Sequence, residues 1–456
     1  MEKSREKLSS RLGFIMLSVG CAVGLGNVWR FPYVAGKNGG ALFVLLYIFF
    51  MIIFGIPIMT MEFSLGRASQ SSVAVYYSKL RPDRPYWKIG SYVAVIANYV
   101  LMMFYTTIAG WTLNYLVGMI KGDFVGASME KINGSFDAML SSPLQSTFWM
   151  ILAVLIGFGI CAMGLQNGVE SITKVMMFSL FIIMGILMIR AVTLPNAING
   201  LKFYLLPNLD GIKSNGLGNI VAQAMAQAFF SLSVGAGGMA IFGSYIDKNR
   251  SLMGEAVNIV MLDLAVAIIS GVIVFCACSA FGVDVGAGPK LVFVTLPNIF
   301  NEMPAGQLWG ILFFLSMTFA AMSTIIGVFE NIVSFGIDLF GLSRNKSVFL
   351  NSILMVVLSI PCALSFNLWS NVEVLGFGIF DIEDFIVSNN LLPLGALICV
   401  LFCTSKYGWG YKNLVEESNQ GKGIKFPNWL SAFVKYVIPM MIIYILLSGY
   451  FDILRK

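Results

Sequence analysis

The sequence predicts an all-α membrane protein of about 11 transmembrane helices. Three observations predict it. The chain of 456 residues is 58% hydrophobic and 11% charged, where an ordinary soluble domain carries roughly 25% charged residues. Runs of about twenty apolar residues, long enough to cross a bilayer, recur from end to end. Two of these runs are interrupted near mid-span by glycine and polar residues, where bare backbone cannot face lipid.

In order, the spans read at 12–36, 41–66, 88–118, 146–164, 168–191, 218–244, 254–281, 306–338, 347–366, 374–404 and 430–452. The basic N-terminus runs directly into the first of them with no small-residue cleavage site before a polar region, so it is read as a span and not as a removable signal. Within it, Ser18–Arg30 reads S-V-G-C-A-V-G-L-G-N-V-W-R. Gly20, Gly24 and Gly26 each cost about 1 kcal/mol against Ala in a helix interior. Asn27 and Arg30 add polarity, and Pro32 removes a backbone donor. Two readings stand. The glycines form a close-packing face between membrane helices. Alternatively the helix is interrupted, its freed carbonyls able to bind a cation and its freed amides an anionic group. In the fifth span Gly185 and Pro195 mark either an ordinary helix end or a segment able to unwind. The sixth carries a second break in A-F-F-S-L-S-V-G-A-G-G-M-A-I-F-G, residues 228–243. Breaks in the first and sixth spans hold corresponding positions in two five-span halves. That placement points to a binding site between inverted repeats. The correspondence is positional, since the halves show no overt sequence identity.

Lysine and arginine set the orientation. With the N-terminus in the cytoplasm, the inner loops hold roughly twice the Lys and Arg of the outer ones, as the positive-inside rule requires. Four regions follow: 1–11, a cytoplasmic N-terminus; 12–200, the first five-helix repeat; 201–404, the second; 405–456, a cytoplasmic loop and an extra eleventh helix. The formal charge of +6 reflects these loops and calls for no nucleic acid.

The chain has no histidine, which removes imidazole metal ligands, Ser-His-Asp chemistry and histidine proton relays. Its seven cysteines lie in apolar segments, which indicates no external disulfide framework. No catalytic constellation appears, and the chain reads as not an enzyme. Ionisable residues at membrane depth are functional candidates. Glu62 is expected to bond broken backbone near the first span. Asp263 has no basic residue on its own helix, and a sodium ion would partner it. Ser323 and Thr324, ahead of Glu330, offer hydroxyls that either bond back to their own helix or face an ion. Asp381, Glu383 and Asp384 open the tenth span.

The run G-C-A-V-G-L-G-N-V-W-R-F-P-Y, the following N-G-G, the tenth-span carboxylate and the later G-A-G-P-K-L-V-F resemble the neurotransmitter:sodium symporter family, bacterial amino-acid transporter branch. The resemblance implies the leucine-transporter-type 5+5 inverted repeat with discontinuous helices 1 and 6. It implies symport of sodium with an amino acid by alternating access. By position, a first sodium site uses Ala22, Asn27, Ser231 and Asp263. A second uses Gly20, Val23, Ala320, Ser323 and Thr324. The substrate carboxylate would meet the amides of Leu25 and Gly26 and the hydroxyl of Tyr105. Its amino group would meet Ala22, Phe230, Ser231 and Ser233. The side-chain pocket is expected from Leu101, Tyr105, Phe230, Ala236, Ile325 and Val328. Arg30 with Asp384 matches the outer gate, and Arg5, Tyr245 and Asp338 match the inner one.

There are departures from the family. Animal members bind chloride; here Tyr47, Gln227 and Ser231 match that site, but Asp263 stands where an asparagine is usual. Its carboxylate can supply the negative charge, so no chloride requirement is expected. The twelfth span and the long glycosylated loop of animal members are missing, which favours a bacterial inner membrane. The pocket holds no charge, and charged side chains would be unpaired in it. Ala236 replaces a phenylalanine of the leucine-selective relative, which suggests room for Met, Phe, Tyr or Trp. The expected partners are an apolar or aromatic L-amino acid and the lipid bilayer. A proton-coupled transporter or a non-transporting amino-acid sensor on the same fold is the alternative.

Overall fold

The computed structural model describes residues 5–207, 216–283, 290–374 and 376–454, with side chains through Tyr450. The G-A-G-P stretch at 286–289 and the first four residues lie outside these.

Among the described residues nine helices are long and apolar enough to cross a membrane. They are Ala41–Ser69, Pro85–Lys121, Pro143–Ala162, Leu165–Val192, Leu252–Phe281, Gly306–Phe340, Arg344–Leu364, Ile379–Thr404 and Asn428–Tyr450. A bent pair, Arg11–Ala22 and Gly26–Lys37, turns by 54° at its break. Leu217–Leu232 followed by the short helix Gly238–Gly243 makes a second broken segment. Taken in chain order these form spans 1 to 11, with spans 1 and 6 discontinuous. Among the described residues the strand structure is a hairpin of two-residue strands, Glu373–Val374 with Phe377–Gly378, leading into span 10.

Burial sorts the spans. In the most apolar stretch of span 8, 78% of residues are buried, and 72% in span 7; the figure is 39% in each of spans 4, 5 and 9. The outer spans keep an apolar stripe for lipid, as Ile182, Ile186 and Ile189 do on span 5 at helical spacing. Spans 1, 3, 6 and 8 meet inside that wall.

The break in span 1 is a packing requirement as well as a weakness. Val23 is extended, at φ −70° and ψ 99°. A Cβ on Gly24 would stand 2.5 Å from the Tyr105 hydroxyl and 2.8 Å from that of Thr324. The interrupted-helix reading of Ser18–Arg30 therefore stands, and the glycines are also close-packing residues. The break in span 6 runs through Ser233, Gly235 and Gly237, with φ of 50°, 97° and 71°. Two of the three are glycine, the residue that enters this left-handed region at no steric cost. Ser233 is held there while its hydroxyl donates to the Cys21 carbonyl, 3.3 Å away in span 1.

Glu62 does bond broken backbone, but at the other break. It accepts from the amides of Gly235 at 2.6 Å and Met239 at 3.2 Å. Span 2 runs beside the second half of span 6, and the carboxylate replaces carbonyls that helix would have supplied. In span 5 Gly185 lies inside the unbroken helix Ser171–Val192, and Pro195 follows its end. The irregular backbone is a wide turn at the opposite end, Leu165–Glu170.

The N-terminal side is strapped by the segment after span 10. Arg67, fully buried, pairs with Glu417 at 2.6 Å and donates to the Arg250 carbonyl at 2.8 Å. Lys422 exchanges backbone bonds with Asn249 and Ser251. All seven cysteines are buried and no disulfide joins them.

Candidate substrate and ion site

The second expected ion site is drawn together by span 8 lying against the span 1 break. The Thr324 hydroxyl stands 3.3 Å from the Gly20 carbonyl, 3.4 Å from Val23 and 3.2 Å from Ala320. Ser323 donates to the same Ala320 carbonyl at 3.1 Å. One hydroxyl proton cannot satisfy three carbonyls. Two hydroxyls and three carbonyls thus converge with more acceptors than donors. Hard cations take oxygen ligands of these kinds.

The first expected site gathers spans 1, 2, 6 and 7. Asn27 and Asp263 are both fully buried. The Asn27 amide donates to the Asp263 carboxylate at 2.9 Å and to its carbonyl at 3.2 Å. Gln227 donates to the Gly26 carbonyl at 2.9 Å and to the Ser231 hydroxyl at 3.2 Å. Asp263 Oδ2, the Tyr47 hydroxyl and Gln227 Oε1 are buried without a hydrogen-bond partner. Tyr47 faces both Asp263 and Ser231 without meeting bonding geometry to either. No basic side chain pairs with Asp263 among the described residues. An uncompensated buried carboxylate is costly, and a cation beside Oδ2 would relieve it. The donor set fits a hard monovalent cation. Among the described residues no three His, Cys, Asp or Glu side chains cluster as a metal site.

Between the two lies a cleft. The Leu25 amide donates to the Tyr105 hydroxyl at 3.0 Å. A Cβ on Gly26 would stand 2.8 Å from the Phe230 ring. A small cavity of about 20 Å³ is bounded by Ala22, Gly24, Gly26, Leu101, Tyr105, Phe230, Ser233, Thr324 and Leu392. Leu392 of span 10 is the wall residue that sequence reasoning missed, since nothing in an ordinary apolar run marks it. Three expected pocket residues do not reach this wall. Ile325 packs towards Gly157 of span 4. The Ala236 carbonyl is turned to Asn98 and Asn331. Val328 is buried off the cavity.

The two ends of the cleft differ. On the N-terminal side Arg5 pairs with Asp338 at 2.5 Å and lies over the Tyr245 ring at 5.2 Å. Burial lowers the pKa of Arg5, but Tyr245 and Asp338 outweigh it and hold the guanidinium above its ordinary value. Asp338 also accepts from the Ser72 amide at 2.7 Å. Behind them, Tyr245 donates to Glu330 at 2.7 Å. Arg344 grips both oxygens of Glu330, at 2.8 and 2.9 Å. Glu330 was noted from the sequence but its partner Arg344 was not; the start of span 9 brings Arg344 against it. At the opposite end Arg30 lies 4.4 Å over the Phe230 ring. Asp384 accepts from Ser388 at 2.8 Å. Arg30 and Asp384 both border an open cavity of about 660 Å³, and no ion pair joins them. That cavity reaches Leu25, Gly26, Tyr105 and Phe230, whereas a larger one of about 1160 Å³ on the other side stops at Arg5, Tyr245 and Asp338, so the cleft is open on the Arg30 side and closed on the Arg5 side.

Two broken helices facing each other across a buried polar cleft, closed at one end only, define a membrane transport protein of the broken-helix type. The chain belongs to the sodium:neurotransmitter symporter family, whose model matches residues 5–131 and 121–454. It is a sodium-dependent transporter and not an enzyme. It is 33% identical over 451 residues to the uncharacterised sodium-dependent transporter YhdH of Bacillus subtilis, covering 98% of each chain. It is 25% identical to the sodium-dependent dopamine transporter of Caenorhabditis elegans, covering 99% of this chain and 81% of that one. Among solved structures it resembles that of MhsT in complex with L-phenylalanine. The TM-score there is 0.88 at 37% identity, over 98% of this chain and 100% of the other.

Proposed function

We propose that the chain is a sodium-coupled symporter that imports hydrophobic or aromatic L-amino acids by alternating access, without chloride. The observation that carries this is the Thr324 hydroxyl set among the carbonyls of Gly20, Val23 and Ala320. An oxygen-only ring that couples the span 1 break to span 8 suits a transported sodium ion. Its second ion would sit among Ala22, Asn27, Ser231 and Asp263. The unpartnered oxygen of Asp263 supports that site and supplies the charge that chloride would otherwise bring.

The substrate carboxylate would take the amides of Leu25 and Gly26 and the Tyr105 hydroxyl. The amino group would take the carbonyls of Ala22, Phe230 and Ser231. An apolar wall of Leu101, Phe230 and Leu392 would take the side chain. Ala236, Ile325 and Val328 would add to it if the cavity widens around substrate. Phe230 and Tyr105 would close above the substrate and bring Arg30 to Asp384 as the outer gate. Release would require Arg5, Tyr245 and Asp338 to separate. The Arg5 side would face the cytoplasm of a bacterial cell, with the N-terminus on that side. Two sodium ions moving with a zwitterion carry two charges, each worth about 2.3 kcal/mol per 100 mV. The potential alone then supports roughly a thousandfold accumulation.

The test is binding of labelled Leu, Phe, Tyr and Trp to purified protein in sodium against potassium, with chloride replaced by gluconate in a parallel series. Sodium-dependent, chloride-indifferent binding is expected. Equal binding in sodium and potassium would overturn the coupling.

A further inference from the structure

We infer that the side-chain end of the substrate site carries a polar subsite, built from Asn98 and Asn331, that accepts a hydrogen bond from the phenolic O–H of tyrosine or the indole N–H of tryptophan. The inference rests on the amino-acid reading above and names the preferred members of that class.

Asn98 and Asn331 are fully buried, on spans 3 and 8. Asn98 lies one helical turn beyond Leu101, which walls the central cavity. Asn331 lies one turn beyond Val328. Both hold the Ala236 carbonyl at the apex of the span 6 break, three residues on from Ser233 in the cavity wall. The Asn98 amide donates to the carbonyls of Ala94 and Ala236, at 2.7 and 2.8 Å. The Asn331 amide donates to the Asn98 oxygen at 3.1 Å and to the Ala236 carbonyl at 3.4 Å. All four N–H donors of the pair are thereby committed. On the acceptor side the Asn331 oxygen is buried with no partner.

The orientation of Asn331 is fixed by its neighbours. Turning its amide over would set its oxygen against two other acceptors, Asn98 Oδ1 and the Ala236 carbonyl. The spare capacity of the pair is therefore acceptance alone. A buried polar atom left unmade is unfavourable, so a ligand bringing a donor gains there. A ligand bringing only acceptors, such as a carboxylate or a methyl ether, does not. Aromatic amino acids place their polar atom at the far end of the ring, away from the backbone groups held at Leu25 and Gly26. Val328 does not line the small cavity, so the subsite is reached when the cavity widens around substrate; a ring entering past Leu101 then carries that end towards Asn331. An apolar pocket ending in a single acceptor separates tyrosine and tryptophan from phenylalanine, which apolar contacts alone cannot do.

The test is competition by Phe, Tyr, Trp and O-methyltyrosine against labelled L-leucine, on the purified full chain in sodium. Tyr is expected to compete roughly three- to tenfold better than Phe, the worth of one neutral hydrogen bond. O-methyltyrosine, which has no donor, is expected to lose that advantage. In Asn331→Leu the ratio of Tyr to Phe competition is expected to fall to about one, whatever the change in overall affinity. Equal competition by Tyr and Phe on the unaltered chain overturns the subsite. So does a Tyr preference that survives in Asn331→Leu, or one shared by O-methyltyrosine. If Asn331→Leu fails to fold, the ligand series on the unaltered chain decides alone. Absence of binding by every apolar amino acid in sodium would instead overturn the amino-acid reading itself.

Discussion

Replacing Thr324 by valine exchanges one hydroxyl for a methyl group at constant shape. The hydroxyl stands within 3.4 Å of the Gly20, Val23 and Ala320 carbonyls. Five oxygens converge there, and the exchange leaves four. An oxygen facing a full charge is worth about 1.5–3 kcal/mol. At about 1.4 kcal/mol per factor of ten, the sodium concentration for half-saturation should rise roughly 10- to 150-fold. The cost to folding is smaller, about 0.5–1.5 kcal/mol for one neutral hydrogen bond, so the variant should remain folded. The assay is binding of a labelled amino acid across a sodium series, with potassium holding ionic strength constant. Ser316→Ala is the control. It is buried on the same helix, and its hydroxyl only returns to the Phe313 carbonyl at 2.7 Å. A sodium midpoint that is unchanged in Thr324→Val refutes the reasoning, because the carbonyl ring then holds no coupled ion.

Asp263→Asn keeps an acceptor for Asn27 but removes the buried charge. Uptake by the variant should require chloride, while the unaltered chain transports equally in chloride and gluconate; uptake assays with the anion exchanged decide this. Arg67→Met removes the buried partner of Glu417, which keeps Lys248 at 3.6 Å and Gln420 at 3.0 Å, so the cost should fall below the about 3–5 kcal/mol of an unpaired buried charge. Thermal unfolding in detergent should shift clearly downwards, and Glu417→Leu added to it should recover most of the loss. Arg5→Ala frees Asp338 and loosens the N-terminal side. Small thiol reagents should then modify Cys21, fully buried in span 1, faster than in the unaltered chain, and an unchanged rate would remove Arg5 from the gate.

Hydropathy made the spans legible, because lipid imposes a minimum length and forbids bare backbone. The breaks were legible for the same reason. Gly24 and Gly235 are poor helix residues, and each sits among further glycines and polar residues at mid-span, unlike the lone Gly185, which lies in unbroken helix. The partners of the breaks were less legible. Glu62 was expected to serve span 1 and instead serves Gly235 and Met239 in span 6. Sequence distance does not report which of two broken helices a third will lie beside. Leu392 and the Asn98–Asn331 pair were missed because their significance lies in orientation. Leu392 is one leucine among many, and an asparagine on an apolar helix gives no sign of the carbonyl it holds. Ile325 was expected in the pocket from the family resemblance. Its side chain packs instead towards Gly157, where the absent Cβ leaves room.

The two gates also account for why the polar groups at the cleft ends are charged while those at its centre are mostly neutral. At the centre, carbonyls, hydroxyls and amides can accept a cation or release it without leaving a bare charge in apolar surroundings, apart from Asp263. At the ends, a charge pair that separates must find compensation in water. Arg5 and Asp338 can do so because they are 13% and 11% exposed at the rim of the N-terminal side. Arg30 meanwhile has the Phe230 ring beneath it, and Asp384 has Ser388. Each gate charge therefore has a second partner or solvent when its ion pair is open. On the proposed alternating-access reading, that would keep the free-energy difference between the two faces small enough for bound sodium and substrate to decide it. A ligand shifts such an equilibrium only by its differential affinity for the two states. Ions bound at Thr324 and Asp263, as proposed, would supply that difference because each would touch a broken span and a continuous one.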